Sequence, residues 1–475
     1  MLQLRRRAIV ALTVCVLPAC SDKSTAPPEF VGLRIVAGGS GTDTISTQFA
    51  QALVVELRDE KGEPVPDHVL RFETVPVDPS QQFGGYTAYI SPVDRNDQRT
   101  FMSDTTDAQG RARALVRLGL KAGPAIVVIT DPDVGASDTA TFTVQPGNAV
   151  RVQAAPRDTA IYVGSTATLR SSVVDRAGNP RSDPVTHAVI GSAVTVSGVT
   201  VSAGSLGFAR VVTSAGTMSD TTNVAVPPEG TLAAFSNAGL AAFKTDGSGF
   251  QVLAPGAAFR GRTLSWSPAG TEVAFDQEFG ERIQIASVAG GVRFVTPAGS
   301  GTLYPRFSRD GQWVYYTRLS RLQRVRPDGT GEEPVPIVNA GIDASPAFSP
   351  DGSRAVIVRL FANQLLMLDL ATGATTDLGS TGQTPAWSPT GNLIAFVGSA
   401  DGNAIKVMNP DGTGVRTVAS ANAPYAIGID WTSDGQWIVA RSAGRDRVEL
   451  INATSGEVIP LSYTRGYTGG ASWKP

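Results

Sequence analysis

Leu264-Ser265-Trp266-Ser267-Pro268-Ala269-Gly270 decides how this chain is read, because the phrase returns. Its copies are Arg306-Phe307-Ser308-Arg309-Asp310-Gly311, Ala347-Phe348-Ser349-Pro350-Asp351-Gly352, Ala386-Trp387-Ser388-Pro389-Thr390-Gly391 and Asp430-Trp431-Thr432-Ser433-Asp434-Gly435, with a shortened copy at Ala471-Ser472-Trp473-Lys474-Pro475. The aromatic positions 266, 307, 348, 387, 431 and 473 are 41, 41, 39, 44 and 42 residues apart. That spacing matches the roughly 40–45 residues of a four-stranded propeller blade.

Each part of the phrase has a physical task. The aromatic ends an inner strand and packs between neighbouring blades. In the turn, proline presets φ, aspartate accepts backbone hydrogen bonds and glycine tolerates positive φ. An apolar second strand follows, as in Leu393-Ile394-Ala395-Phe396, then a third strand ending at Asn409-Pro410-Asp411-Gly412-Thr413-Gly414, and an outer strand such as Arg416-Thr417-Val418. The last copy stops after a first strand, whereas Leu232-Ala233-Ala234-Phe235, Leu240-Ala241-Ala242-Phe243 and Gln251-Val252-Leu253 supply a second, third and fourth without a first. Joining them makes six blades over residues 228–475 and removes the exposed sheet edges of an open array.

The motifs resemble the W/F-S-P-D-G repeats of the TolB-type six-bladed propeller, also found in tricorn protease and the prolyl oligopeptidase relatives. This resemblance implies the fold and says little of function, since the motif residues are framework and one fold hosts many activities. TolB carries a small α/β domain before its propeller and this chain does not, so the resemblance does not bring over the partners of the Tol–Pal system.

Upstream, short alternating strands such as Ala52-Leu53-Val54-Val55-Glu56-Leu57 are separated by turns at Asp59 to Pro66 and Asp104 to Ala112. The strand, D-x-x-G-x-P-V, strand, T-D-x-x-G-x-A order resembles bacterial immunoglobulin-like domains of the invasin and intimin type over residues 31–145. Residues 83–97 read as an insertion. A second such module spans 146–227, where Ala167 to Pro180 repeats the strand and D-x-x-G-x-P phrase. Neither module has paired cysteines, so sheet packing must hold each one. The expected fold class is all-β: two Ig-like β-sandwich modules, then a six-bladed β-propeller closed by pairing of its first and last segments.

Three arginines at 5–7 precede the apolar run Ala8 to Pro18, which is short of the roughly 20 residues that span a bilayer and reads as a signal-peptide segment over residues 1–20. Leu17-Pro18-Ala19-Cys20 resembles the lipobox of bacterial lipoproteins, apart from Pro18. The resemblance implies a lipid on Cys20 and, since no aspartate follows that cysteine, an outer-membrane location facing the periplasm or the surface. Residues 21–30 have linker composition.

Composition narrows the function classes. At 475 residues, about three domains are expected, and 42% hydrophobic with 17% charged residues excludes general disorder. Forty Lys plus Arg against 42 Asp plus Glu give a formal charge of −2, so no nucleic-acid partner is expected. His68, His187, Cys15 and Cys20 are too few for a Cys/His zinc cluster, and no metal or other cofactor is expected. Asp131-Pro132-Asp133-Val134-Gly135 suggests calcium superficially, lacks the further oxygen ligands of such loops, and reads as an acidic turn. A G-x-S-x-G elbow and a P-loop are missing, and residues 228–475 contain no histidine or cysteine.

The expectation is a non-catalytic, lipid-anchored envelope protein that binds a protein or peptide, or a glycan, through its propeller, with the Ig-like modules as spacer. Two alternatives are a surface adhesion or structural protein acting through those modules, and a carboxylate hydrolase using Asp343 and Asp430. The basic run Arg318 to Arg326 reads as a solvated face. The expected binding face lies opposite the S-P-D-G turns, where variable loops concentrate Tyr and Arg: Tyr304, Asp343, Tyr425, Asp430, Arg465 and Tyr467.

Overall fold

The computed structural model describes residues 32–76, 86–95, 97–256, 263–276, 282–298, 301–338, 343–400, 402–420 and 425–475. The signal segment, Cys20, the 21–30 linker, the loop residues 259–262, 341, 342 and 424, and residues 83–85 and 96 of the 83–97 insertion lie outside them. The chain is all-β, with 57% strand and, among the described residues, no α-helix. No helix among those residues is long and apolar enough to cross a membrane. The chain divides into two compact units, residues 1–149 with 174–181, and residues 150–173 with 182–475.

In the first unit, Gly32–Ala37, Leu53–Arg58, Arg111–Leu118 and Ala88–Ser91 form one sheet in that order. Ser40–Thr44, Ser137–Gln145, Gly123–Thr130, Val69–Thr74 and Phe101–Thr105 form the other. Period-two alternation decides which side chains turn inward: Val69–Thr74 alternates exposed and buried, and Leu70 and Phe72 join Leu53, Val55, Val127 and Ile129 in one core. The D-x-x-G-x-P phrase at 175–180 also belongs to this unit. Asp175 accepts bonds from the amides of Gly147 (2.8 Å), Ala177 (2.8 Å) and Asn179 (2.9 Å), and the Asn179 amide group donates to the Leu120 carbonyl at 2.8 Å.

The second unit opens with small sheets around Val201, Val211 and Val224. Six four-stranded antiparallel sheets follow, and their inner strands are Thr468–Trp473, Leu264–Trp266, Thr302–Phe307, Asp343–Phe348, Gln383–Trp387 and Tyr425–Trp431. Numbering the sheets first to sixth in that order, the first pairs the C-terminal strand with Thr231–Ser236, in register Leu232 with Trp473. Every consecutive pair shares an apolar core. Phe235 meets Phe275 and Tyr315 meets Phe348 ring to ring, while Ile285 and Tyr316, Val358 and Phe396, and Val397 and Trp431 belong to common cores. The sixth sheet shares a core with the first through Trp437, Leu450, Phe243 and Trp473.

That last core also takes in Ala160 and Ala225 of the preceding sheets. The Tyr162 hydroxyl beside it accepts from the Asp246 amide and the Thr245 hydroxyl, both at 3.3 Å, and burial raises its pKa.

Candidate functional site

The repeated turn is built around its hydroxyl. In Ser349-Pro350-Asp351-Gly352, the Ser349 hydroxyl donates to Asp351 at 2.5 Å and accepts the Arg354 amide at 3.0 Å, while the Gly352 amide closes the turn on the Ser349 carbonyl at 3.0 Å. Ser308 and Thr432 repeat the arrangement with Asp310 and Asp434. The five turn glycines have φ between +65° and +82°, where a side chain would be strained.

These turns hold the six aromatics around a cavity of about 330 Å³ in the second unit: Trp266, Phe307, Phe348, Trp387, Trp431 and Trp473. Indole N–H groups tie one sheet to the next. Trp266 donates to the Ser472 carbonyl at 3.2 Å, Trp431 to the Ala386 carbonyl at 2.8 Å, and Trp473 to the Ser433 hydroxyl at 3.1 Å.

Two positions of the phrase control the cavity wall. The residue before each aromatic is Ser265, Arg306, Ala347, Ala386, Asp430 or Ser472, and the residue two after it is Pro268, Arg309, Pro350, Pro389, Ser433 or Pro475. The repeats carrying Arg306 and Arg309, and Asp430 and Ser433, therefore depart from small residues and proline at both positions. They belong to the third and sixth sheets, three steps apart, and the Arg306 guanidinium joins them by donating to the Ile429 carbonyl at 3.1 Å. Loss of solvent lowers the pKa of Arg306, opposed by the nearby Asp430 charge. Arg309, exposed to the cavity mouth, donates a long bond of 3.4 Å to the Phe348 carbonyl; desolvation lowers its pKa, Asp430 opposes this and Arg306 adds to it. Asp430 takes the Trp431 amide at 2.9 Å, the Trp473 amide at 3.1 Å and the Ser472 hydroxyl. The cavity is an aromatic and proline-walled funnel in which two guanidinium groups face one carboxylate that already holds three donors.

Among the expected binding-face residues whose side chains are described, Asp430 alone lines this cavity. Tyr304 is half-buried at φ +59°, toward the opposite end of its strand from the Ser308 turn, and its amide donates to Asp276 at 3.2 Å. Asp343 begins its strand opposite Arg359. Tyr425 is buried and donates to Glu449 at 2.9 Å; burial and the Glu449 charge push its pKa well above the usual phenol range. Arg465 is exposed after the Ser462–Thr464 turn, and Tyr467 stands edge-on to Phe243 at 5.5 Å. Tyr425 is thus framework, because the strand begins earlier than a loop reading allows. Arg306 and Arg309 were within the repeated phrase; their signal is that they replace a small residue and a proline that other copies keep.

No family model matches the chain. It is 30% identical over 151 residues to the "Uncharacterized peptidase YuxL" of Bacillus subtilis (strain 168), a match covering 26% of this chain and 23% of that protein, so the chain spans under a quarter of that relative's length. Among solved structures it is similar to TolB from Acinetobacter baumannii, at 15% identity and a TM-score of 0.44, over 61% of this chain and 83% of that one. A chain of a nidogen/laminin complex is similar at 11% identity and a TM-score of 0.44, over 52% of this chain and 99% of that one.

Proposed function

We propose that the six sheets are blades of a closed six-bladed propeller, that the upstream sheets are Ig-like spacers, and that the protein is a non-catalytic, lipid-anchored envelope protein. Its cavity on the S-P-D-G side receives an acidic group of a protein or peptide partner. The observation that carries this reading is the pair Arg306 and Arg309 in an aromatic cavity: among the described residues that line it, the ionisable ones are these two and Asp430. A guanidinium with an unspent fork of donors suits a carboxylate, and partial desolvation strengthens the pairing. The flat walls of Trp, Phe and Pro suit the apolar neighbours of that carboxylate. Occupation of Asp430 by three donors, with no histidine or cysteine in residues 228–475, supports binding over acid–base chemistry.

The experiment is crosslinked capture from the protein's own envelope, comparing the native chain with Arg309→Glu and with a Tyr304→Ala, Arg465→Ala double variant. Arg309→Glu should abolish capture and the double variant should retain it. The reverse result would place the partner on the opposite face. Loss only on altering the first module would make the protein an adhesin acting through its Ig-like domains.

A further inference from the structure

We propose that His68, Asp131 and Asp133 form a binding site for a divalent transition-metal ion, with Zn²⁺ as its representative. Counting histidines and cysteines excludes a Cys/His cluster, but it takes no account of carboxylates brought to a histidine by sheet pairing. His68 immediately precedes Val69–Thr74, and Asp131 immediately follows Gly123–Thr130. These strands pair in register Arg71 with Thr130, which brings positions 63 residues apart in sequence to one end of the sheet.

His68 is held by its backbone. Its amide donates to the Thr106 hydroxyl at 2.9 Å and its carbonyl accepts the Thr106 amide at 2.9 Å. The Asp131 loop is closed independently, by the Asp131 amide on the Ala136 carbonyl at 2.8 Å and the Gly135 amide on the Asp131 carbonyl at 2.9 Å. Asp131 also accepts the Asp133 amide at 2.9 Å, which turns Asp133 back toward the imidazole. As a result one ring nitrogen, His68 Nε2, faces two carboxylates, Asp131 Oδ1 at 3.0 Å and Asp133 Oδ2 at 3.6 Å.

A single proton on Nε2 can satisfy only one of the two. Ligand atoms held about 2.0–2.2 Å from a metal at octahedral or tetrahedral angles are about 2.8–3.6 Å apart, so both separations fit edges of such a polyhedron. The three ligand atoms lie within 4.8 Å of one another, and the exposed Asp133 side chain can close the remaining span by rotating. One imidazole nitrogen with two carboxylates favours zinc-like ions over calcium, which takes six to eight oxygens. Neutral His68 would bind through its Nε2 lone pair with the proton on Nδ1. The ion would clamp the 131–136 loop to the start of the Val69 strand and leave outward positions for water or an external ligand.

The test uses the full chain without a polyhistidine tag, stripped with chelator and titrated calorimetrically with Zn²⁺ and separately with Ca²⁺. The native protein should show a saturable site for Zn²⁺ that raises its melting temperature. His68→Gln and Asp133→Asn should each weaken that site at least roughly tenfold, because loss of even an outer partner costs about 10–100-fold. Asp133 is exposed, so its variant retains the fold and decides the matter alone if His68→Gln does not fold. No saturable Zn²⁺ uptake, uptake unchanged in Asp133→Asn, or preference for Ca²⁺ would each overturn the proposal.

Discussion

Asp351 illustrates how one side chain fixes a turn. Its carboxylate accepts the Ser349 hydroxyl at 2.5 Å, the Ser353 amide at 3.1 Å and the Ser353 hydroxyl at 2.9 Å, and these bonds depress its pKa from an ordinary 3.8 to about 2. Because the folded value is the lower one, the contribution to stability is fully present above pH 3.8 and fades as pH falls through about 2. A carboxyl-carbon NMR titration should place the Asp351 midpoint near 2, and Ser349→Ala should move it upward; an unmoved midpoint would remove the hydroxyl from the account. The acceptor role of this aspartate is legible in the sequence. The serine's is not, since a small polar residue gives no sign of which neighbours its hydroxyl will meet. Tyr425 misleads for a related reason: a tyrosine between turn residues looks like an exposed contact, yet its ring enters the core and its hydroxyl ends on Glu449.

The telling element is the strand Thr468–Trp473. Its pairing with Thr231–Ser236 is foreseeable, because the two ends of the repeat array lack complementary strands. What the pattern cannot give is the close approach beside it. A Cβ on Gly230 would fall 2.0 Å from the Trp473 ring, so this glycine is needed for space. Trp473→Ala removes a buried ring and the indole bond to Ser433, and should cost roughly 3–5 kcal/mol in thermal or denaturant unfolding. Gly230→Ala should destabilise in the same assay by displacing that ring. An unchanged transition in both variants would mean that the C-terminal strand does not complete the first sheet.

Across the whole molecule, the alternation of short strands announces an all-β chain, and the 39–44 residue period announces the six sheets. Inclusion of the 150–173 and 182–227 segments in the same compact unit is not legible, because it rests on small residues: Ala160 and Ala225 bury their methyl groups in the core shared by the sixth and first sheets. All six tryptophans lie at or beyond position 266, so tryptophan fluorescence reports the six sheets alone. Ala225→Asp buries a carboxylate without a partner and should lower the fluorescence-detected melting temperature, although position 225 precedes the sheets. An unchanged value would mean that the small sheets fold independently. At the amino terminus, the proposed lipidation of Cys20 predicts that Cys20→Ser releases the protein from membranes or leaves it unprocessed; a processed variant that still partitions into membrane would contradict that proposal. The arginine pair escapes a reading by loops, because Arg306 and Arg309 sit inside the repeated phrase itself and become meaningful only when the third and sixth sheets bring them and Asp430 to one cavity.

The cavity account is tested most directly by a photo-crosslinking residue placed in turn at Ser433, on the cavity wall, and at Arg465, on its exposed turn, in the full protein in its own envelope. If the cavity receives the partner, position 433 gives an adduct that disappears when Arg309 is changed to Glu, and position 465 gives none. An adduct from position 465 that survives Arg309→Glu, with nothing captured at 433, would contradict it.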